Sequence, residues 1–332
     1  MTKSKWIIGA VAAVLAGSAA AASAAQKNAE FPQRPVRLIV PYSPGGATDT
    51  TARQLAVKLN EAWGGHGVVV DNRAGASGNI ALETVARSAP DGYTLFVGNV
   101  STNAINETTF AKTLTIKPSR DLQGVTNLIE LPHVFLASTA VPASSLKELI
   151  DYVKRTGTRL NYGSAGVGSY PHLDVVKFLR AAGIEMTHVP YKGGAGQMVP
   201  AMLGNEVQFF VINFGSSIPH IRAGRMKPLA QTWPTRRPEL PDVPTMTELG
   251  FPGIGTNGWN GLFAPAKIPK PLLDRIHATV LKVMEAPEMK ETLGKIYMAV
   301  IVNKSPAEFQ TFVEDETRKW SKVVIENNIK VE

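Results

Sequence analysis

The sequence has no cysteine in its 332 residues. That excludes a disulfide framework, a thiol nucleophile, an iron–sulfur cluster, a Cys-based zinc site and a lipid anchor on an N-terminal cysteine. Charge is sparse, at 19% of residues, and no run of Lys or Arg exceeds two. The formal excess of +8 is therefore diffuse, and no nucleic-acid partner is expected. Past the first 25 residues no segment approaches the roughly 18 apolar residues a membrane span needs. None of the six histidines (His66, His133, His172, His188, His220, His277) stands in an HExxH or other i, i+4 pair. A zinc site is accordingly not expected. There is no GxSxG elbow and no Walker loop, and Gly163–Gly168 has the spacing GxxGxG rather than GxGxxG. No acidic residue ends a strand where a ribose would need it, so no nucleotide and no cofactor is expected.

What is present is a leader, a globular composition and many glycine turns. Lys3 and Lys5 precede an apolar stretch, Trp6 to Gly17, and the Ala-rich sequence that follows ends in Ala22-Ser23-Ala24. This is the layout of a secretory signal peptide over residues 1–25, cleaved after Ala24 or Ala25. Its removal takes the formal charge from +8 to +6. Export to an oxidising compartment also suits a chain with no spare thiol. Hydrophobic residues make up 44% of the chain, enough for real cores, and the length suggests about two domains.

Short apolar runs alternate with helical patterns. Strands are expected at 36–40, 68–70, 93–97, 160–162, 185–189 and 207–211, and helices at about 48–63, 79–88, 145–155, 171–182 and 197–203. The tail is mostly helical, over 271–285, 287–294 and 306–328. Strands separated by helices argue for parallel sheets covered on both faces. Two such blocks appear, and the tail has too few strands for a third. The economical arrangement is two α/β lobes, one of residues 26–128 with 250–332 and the other of 129–249, joined by two crossings around a cleft. Ligands of open α/β sheets sit outside the carboxyl ends of the strands, which here means that cleft.

A strand, a glycine-rich turn and a helix N-terminus recur at Ser43–Asp49, Gly75–Asn79, Gly163–Ser169 and Tyr191–Gly194. Such turns present unpaired backbone N–H groups, with a favourable helix dipole behind them, and so suit an anion such as a carboxylate. Asp49 is expected to serve the helix start, and His172 to brace the third glycine loop. Tyr42 is expected to wall the pocket, and Trp259 to pack.

The run from Pro35 through Pro41-Tyr-Ser-Pro-Gly-Gly46 to Asp49 resembles the opening of the Bug/TctC family of periplasmic solute-binding proteins. Further matches are Asn72–Asn79, Pro90–Leu95, Asn161–Ser169 with His172-Leu173, His188–Gly193, Leu240–Thr245 and Trp259–Pro265. The resemblance implies a type II periplasmic-binding-protein fold and capture of a small carboxylate without catalysis. Members work with the membrane components of tripartite tricarboxylate transporters, and a periplasmic subunit serving a sensor kinase is the alternative. It implies backbone and water contacts to the ligand from Tyr42, Ser43, Gly45, Gly46, Gly75 and Ser77 in one lobe. In the other it implies Ser164, Gly168, Ser169, Tyr191 and Asn213. Where the family usually carries an Asp-Asn-like pair, this chain has Ile212-Asn213. Loss of that carboxylate either points to a ligand without an ammonium group or is a neutral packing swap. A monomer is expected.

Overall fold

The computed structural model describes residues 31–191, 194–326 and 329. The expected leader, and Lys192 and Gly193 of the fourth glycine turn, lie outside those residues.

Two sheets define two lobes. The first has β1 (Val36–Val40), β2 (Val68–Asn72), β3 (Thr94–Asn99), β4 (Leu122–Leu131), β10 (Gly258–Pro265) and β11 (Ala299–Val300), in the order β11-β4-β10-β3-β1-β2. The second has β5 (His133–Ser138), β6 (Leu160–Ser164), β7 (Met186–Pro190), β8 (Phe209–Asn213) and β9 (Met226–Gln231), in the order β7-β6-β8-β5-β9. The chain leaves the first sheet after Leu131 and enters the second at His133, with Pro132 between them. It returns between Gln231 and Gly258.

The sheets are mixed, which corrects the expectation of parallel sheets. β1 pairs in parallel with β2 and β3, and β6 with β7 and β8. The strands next to the crossings run the other way: β10 is antiparallel to β3 and β4, and β5 to β8 and β9. β4 carries the chain out of the first lobe and β10 carries it back, so side by side they must point in opposite directions.

Both faces of each sheet are covered, as continuous apolar strands require. Val36, Leu38 and Val40 pack with Leu55 and Leu59 of the helix Ala47–Ala62, while Ile39 points to the other face with Ala81, Leu82 and Phe96. In β8, Phe209 and Val211 join one core, and Phe210 and Ile212 the opposite one. The last residues of β3 and β8, Asn99 and Asn213, stand at the cavity between the lobes. Trp259 is 2% exposed and packs against Phe263, Phe309 and Phe312, as expected of it.

Candidate interlobe binding site

A cavity lies between the lobes. Tyr42, Gly46, Ala47, Thr48, Asp49, Asn99 and Ser101 line it from the first lobe, and Ala165, Tyr170, Pro171, Gly194, Ala195, Met198 and Val211–Asn213 from the second. Four helices begin at its wall: Ala47–Ala62, Tyr170–Ala182, Ala195–Leu203 and Phe214–Arg222. The first N–H groups of a helix have no carbonyl four residues back, and the helix dipole adds positive potential there. In the first helix the intrahelical ladder starts at Thr50 N–H to Gly46 O, 2.9 Å, which leaves the amides of Ala47, Thr48 and Asp49 ahead of it. No Lys or Arg stands among the described lining residues.

Asp49, the one acidic lining residue, is already engaged. Its Oδ2 accepts from Gly45 N–H at 3.0 Å and from Arg53 Nε at 3.0 Å, and its Oδ1 from Asn72 Nδ2 at 2.9 Å. Burial alone would raise its carboxyl; these hydrogen bonds outweigh burial and hold it below the usual carboxylate range. Asp49 therefore holds the Gly45-Gly46 turn that leads into the helix, in keeping with the expected role at the helix start. Asn72 also donates to Tyr42 O at 2.9 Å, so one amide fixes both ends of the turn. Tyr42 reaches Asn99 Oδ1 at 3.5 Å, and burial raises its phenol. Asn213 caps its own helix, accepting from Ser216 N–H at 2.9 Å.

Of the residues singled out from sequence, Tyr42, Gly46 and Asn213 line the cavity. Ser43 and Gly45 belong to the turn that carries Gly46. The remainder form a seam between the lobes or stand behind the wall. Ser77 Oγ donates to Val167 O at 3.2 Å across the seam, and Gly75 opens the turn that positions it. A Cβ on Gly166 would meet Ser77 Oγ at 2.6 Å, and one on Gly168 would meet the Thr109 side chain at 2.4 Å. Glycine at these positions lets the loops of the two lobes touch. Ser164 is fully buried, its hydroxyl shared between Gly166 O at 3.0 Å and His188 Nε2 at 2.6 Å. Ser169 Oγ donates to Gly166 O at 2.7 Å. Tyr191 donates to Glu206 at 3.3 Å, away from the cavity wall.

Gly168 N–H donates to His172 Nδ1 at 3.2 Å, so His172 braces the loop as expected. His172 stacks on His188 with ring centroids 4.2 Å apart. Burial, with a smaller contribution from His188, pushes His172 down to about 3, and burial pushes His188 down to about 4. Both rings are neutral at neutral pH.

Thr48, Ala165 and Gly194 of the wall lie in glycine turns expected to face the cleft, whereas Asn99, Ser101, Tyr170, Pro171, Ala195 and Met198 were not singled out from sequence. The available signal was position. Asn99 ends β3, Ser101 follows it, and Tyr170-Pro171 opens the helix after the glycine loop. Ser101 Oγ accepts from Tyr170 N–H at 3.1 Å, which joins the lobes at the cavity edge.

The sequence profile of the tripartite tricarboxylate transporter family receptor, TctC, matches residues 51–329, and the chain belongs to that family. This is a family of periplasmic solute-binding receptors, not of enzymes. Protein BugT of Bordetella pertussis is 32% identical over 301 residues, covering 91% of each chain. Among solved structures, R. palustris Rpa4515 with adipate superposes with a TM-score of 0.85 at 33% identity, covering 91% of this chain and all of that one. MatC from Rhodopseudomonas palustris with bound malate gives 0.82 at 31% identity, covering 89% of this chain and all of that one. The shared architecture is the two-lobed fold of periplasmic binding proteins.

Proposed function

We propose that the chain is exported, processed after Ala24 or Ala25, and acts as a monomeric receptor in the periplasm. It captures a small carboxylate between its lobes and presents the closed form to the membrane components of a tripartite transporter. The observation that carries this reading is the convergence of four helix N-termini on one interlobe cavity without a described lining cation. Backbone amides and dipoles suffice to hold a carboxylate there. The adipate and malate of its relatives are ligands of that class.

The ligand carries no ammonium group. The oxygens of Asp49 are committed, and Ile212 puts an apolar side chain into the core that includes Met198. Neither offers a counter-charge. Catalysis is not part of the reading: the Ser164–His188 pair is geometrically close, but Ser164 is sealed from the cavity.

Calorimetry of the mature protein against a panel of carboxylates tests this. Non-amino acids should bind, and aspartate and glutamate should bind weakly or not at all. Gly46→Asp should abolish binding while leaving the melting temperature nearly unchanged. A Cβ at Gly46 meets nothing within 4 Å and its φ is −83°, so the fold tolerates a side chain whose charge the anion does not. Retained affinity in that variant would remove the site.

A further inference from the structure

A second cavity lies at the crossings between the lobes. It is lined by Pro132, by Trp233, Arg237 and Glu239 of the returning segment, and by Lys290 and Tyr297 of the first lobe's tail. Its volume is about 300 Å³. The guanidinium of Arg237 stands 5.4 Å from the Trp233 ring centroid, and its Nη2 reaches Glu239 Oε1 at 3.3 Å. Arg237 Nε and Glu239 Oε2 are buried with no hydrogen-bond partner among the described residues. An unmade buried bond is costly, so this donor wants an acceptor. Lys290 supplies a second, exposed cation from the other lobe. Tyr297 holds a left-handed φ of 63° and packs its side chain against the second lobe's core. A non-glycine residue in that region is strained and is kept there by its surroundings.

We infer that this cavity is a second ligand site, for an organic monoanion with an apolar or aromatic body. A carboxylate oxygen completes Arg237 Nε, Lys290 adds a charge from the opposite lobe, and Trp233 and Tyr297 receive the apolar part. Glu239 leaves the site with a net charge of about +1, which selects against a dianion. The wall comes from both lobes and from Pro132 at the crossing, so occupancy depends on the angle between the lobes. Binding here and binding in the cleft are then linked reciprocally.

Benzoate is the probe, with isophthalate as the matched dianion, titrated by calorimetry into the mature protein and into Gly46→Asp, whose cleft is blocked. Benzoate should bind Gly46→Asp, and isophthalate should not. Arg237→Gln and Lys290→Gln in that background should each weaken benzoate, Arg237→Gln by about tenfold. Trp233→Phe should remove the accompanying change in tryptophan emission. Lys290 is exposed, so its replacement keeps the test valid even if the Arg237 variant folds poorly. The inference is overturned if isophthalate binds the blocked protein more tightly than benzoate. It is also overturned if neither hinge substitution changes benzoate affinity. Loss of all benzoate binding in Gly46→Asp would make benzoate a cleft ligand only; that result removes the hinge site and leaves the carboxylate receptor standing.

Discussion

At the scale of single residues, the Gly45-Gly46 turn hangs on Asp49. It is 3% exposed, and its two oxygens hold Gly45, Arg53 and Asn72. Asp49→Asn removes the charge that Gly45 N–H and Arg53 require and should cost about 1–3 kcal/mol of stability. Carboxylate affinity should fall with it, because the amides of Ala47 and Thr48 lose their aim. Arg53→Gln should cost less, since the arginine side chain is 51% exposed and its pair with Asp49 is partly screened. Chemical denaturation and calorimetry on the two variants check the order; equal losses would show that Arg53, not the turn, is what Asp49 supports. Asp49 was legible as a helix-start residue because an acid in the first turn has one physical use. Asn99 and Ser101 were not legible, because single polar residues become wall only when another lobe meets them.

At the scale of elements, the glycine loop 163–168 rests on a stack of neutral histidines. His172 must be unprotonated at Nδ1 to accept from Gly168 N–H. Its folded pKa of about 3, and the similar value that burial gives His133, lie below the ordinary 6.5. The unfolded chain therefore binds more protons between about pH 6.5 and 3, and stability is lost as pH falls through that window. At pH 5 the loss is about 2 kcal/mol for each of these two histidines. Asp174 works in the other direction. Burial raises it to about 6 against the hydrogen bonds from Thr256, so acidification relieves part of its strain. The net expectation is a melting temperature that falls from pH 7 to pH 5, with a shallower slope in His172→Gln. A pH-independent melting temperature would contradict it. Strands such as β1 and helices such as Leu146–Thr156 were legible because apolar runs lay between clear Gly, Pro and Ser boundaries. β10 was missed because Gly258 and Gly261 interrupt its apolar run, and the helix Phe214–Arg222 because Pro219 sits inside it.

At the scale of the whole molecule, the proposed closure would run through the seam between the lobes. Gly166 has φ +118°, a conformation that L side chains rarely adopt, and a Cβ there would displace the Ser77 hydroxyl that reaches across the seam to Val167 O. Gly166→Ala should hold the lobes apart, lower carboxylate affinity at least tenfold and leave the separate cores folded. Small-angle scattering with saturating ligand should show wild type more compact than the variant; identical profiles would argue against a seam-limited closure. The two lobes were legible from the number of α/β blocks and the helical tail. The seam was not, because no property of a glycine in sequence tells which glycine faces another lobe.

In the proposed mode of capture the anchoring groups are peptide N–H groups, which every residue except proline supplies whatever its side chain. Substituting a side chain can block them, as at Gly46, or disturb their aim, as at Asp49, but only proline removes one outright. On the proposed reading, the acid-recognising end of the site therefore changes little under most substitutions. The rest of the wall, with Met198, Val211 and Ile212, is ordinary genetic text. Change of ligand can proceed one substitution at a time on that side while the grip on the carboxylate stays as it was.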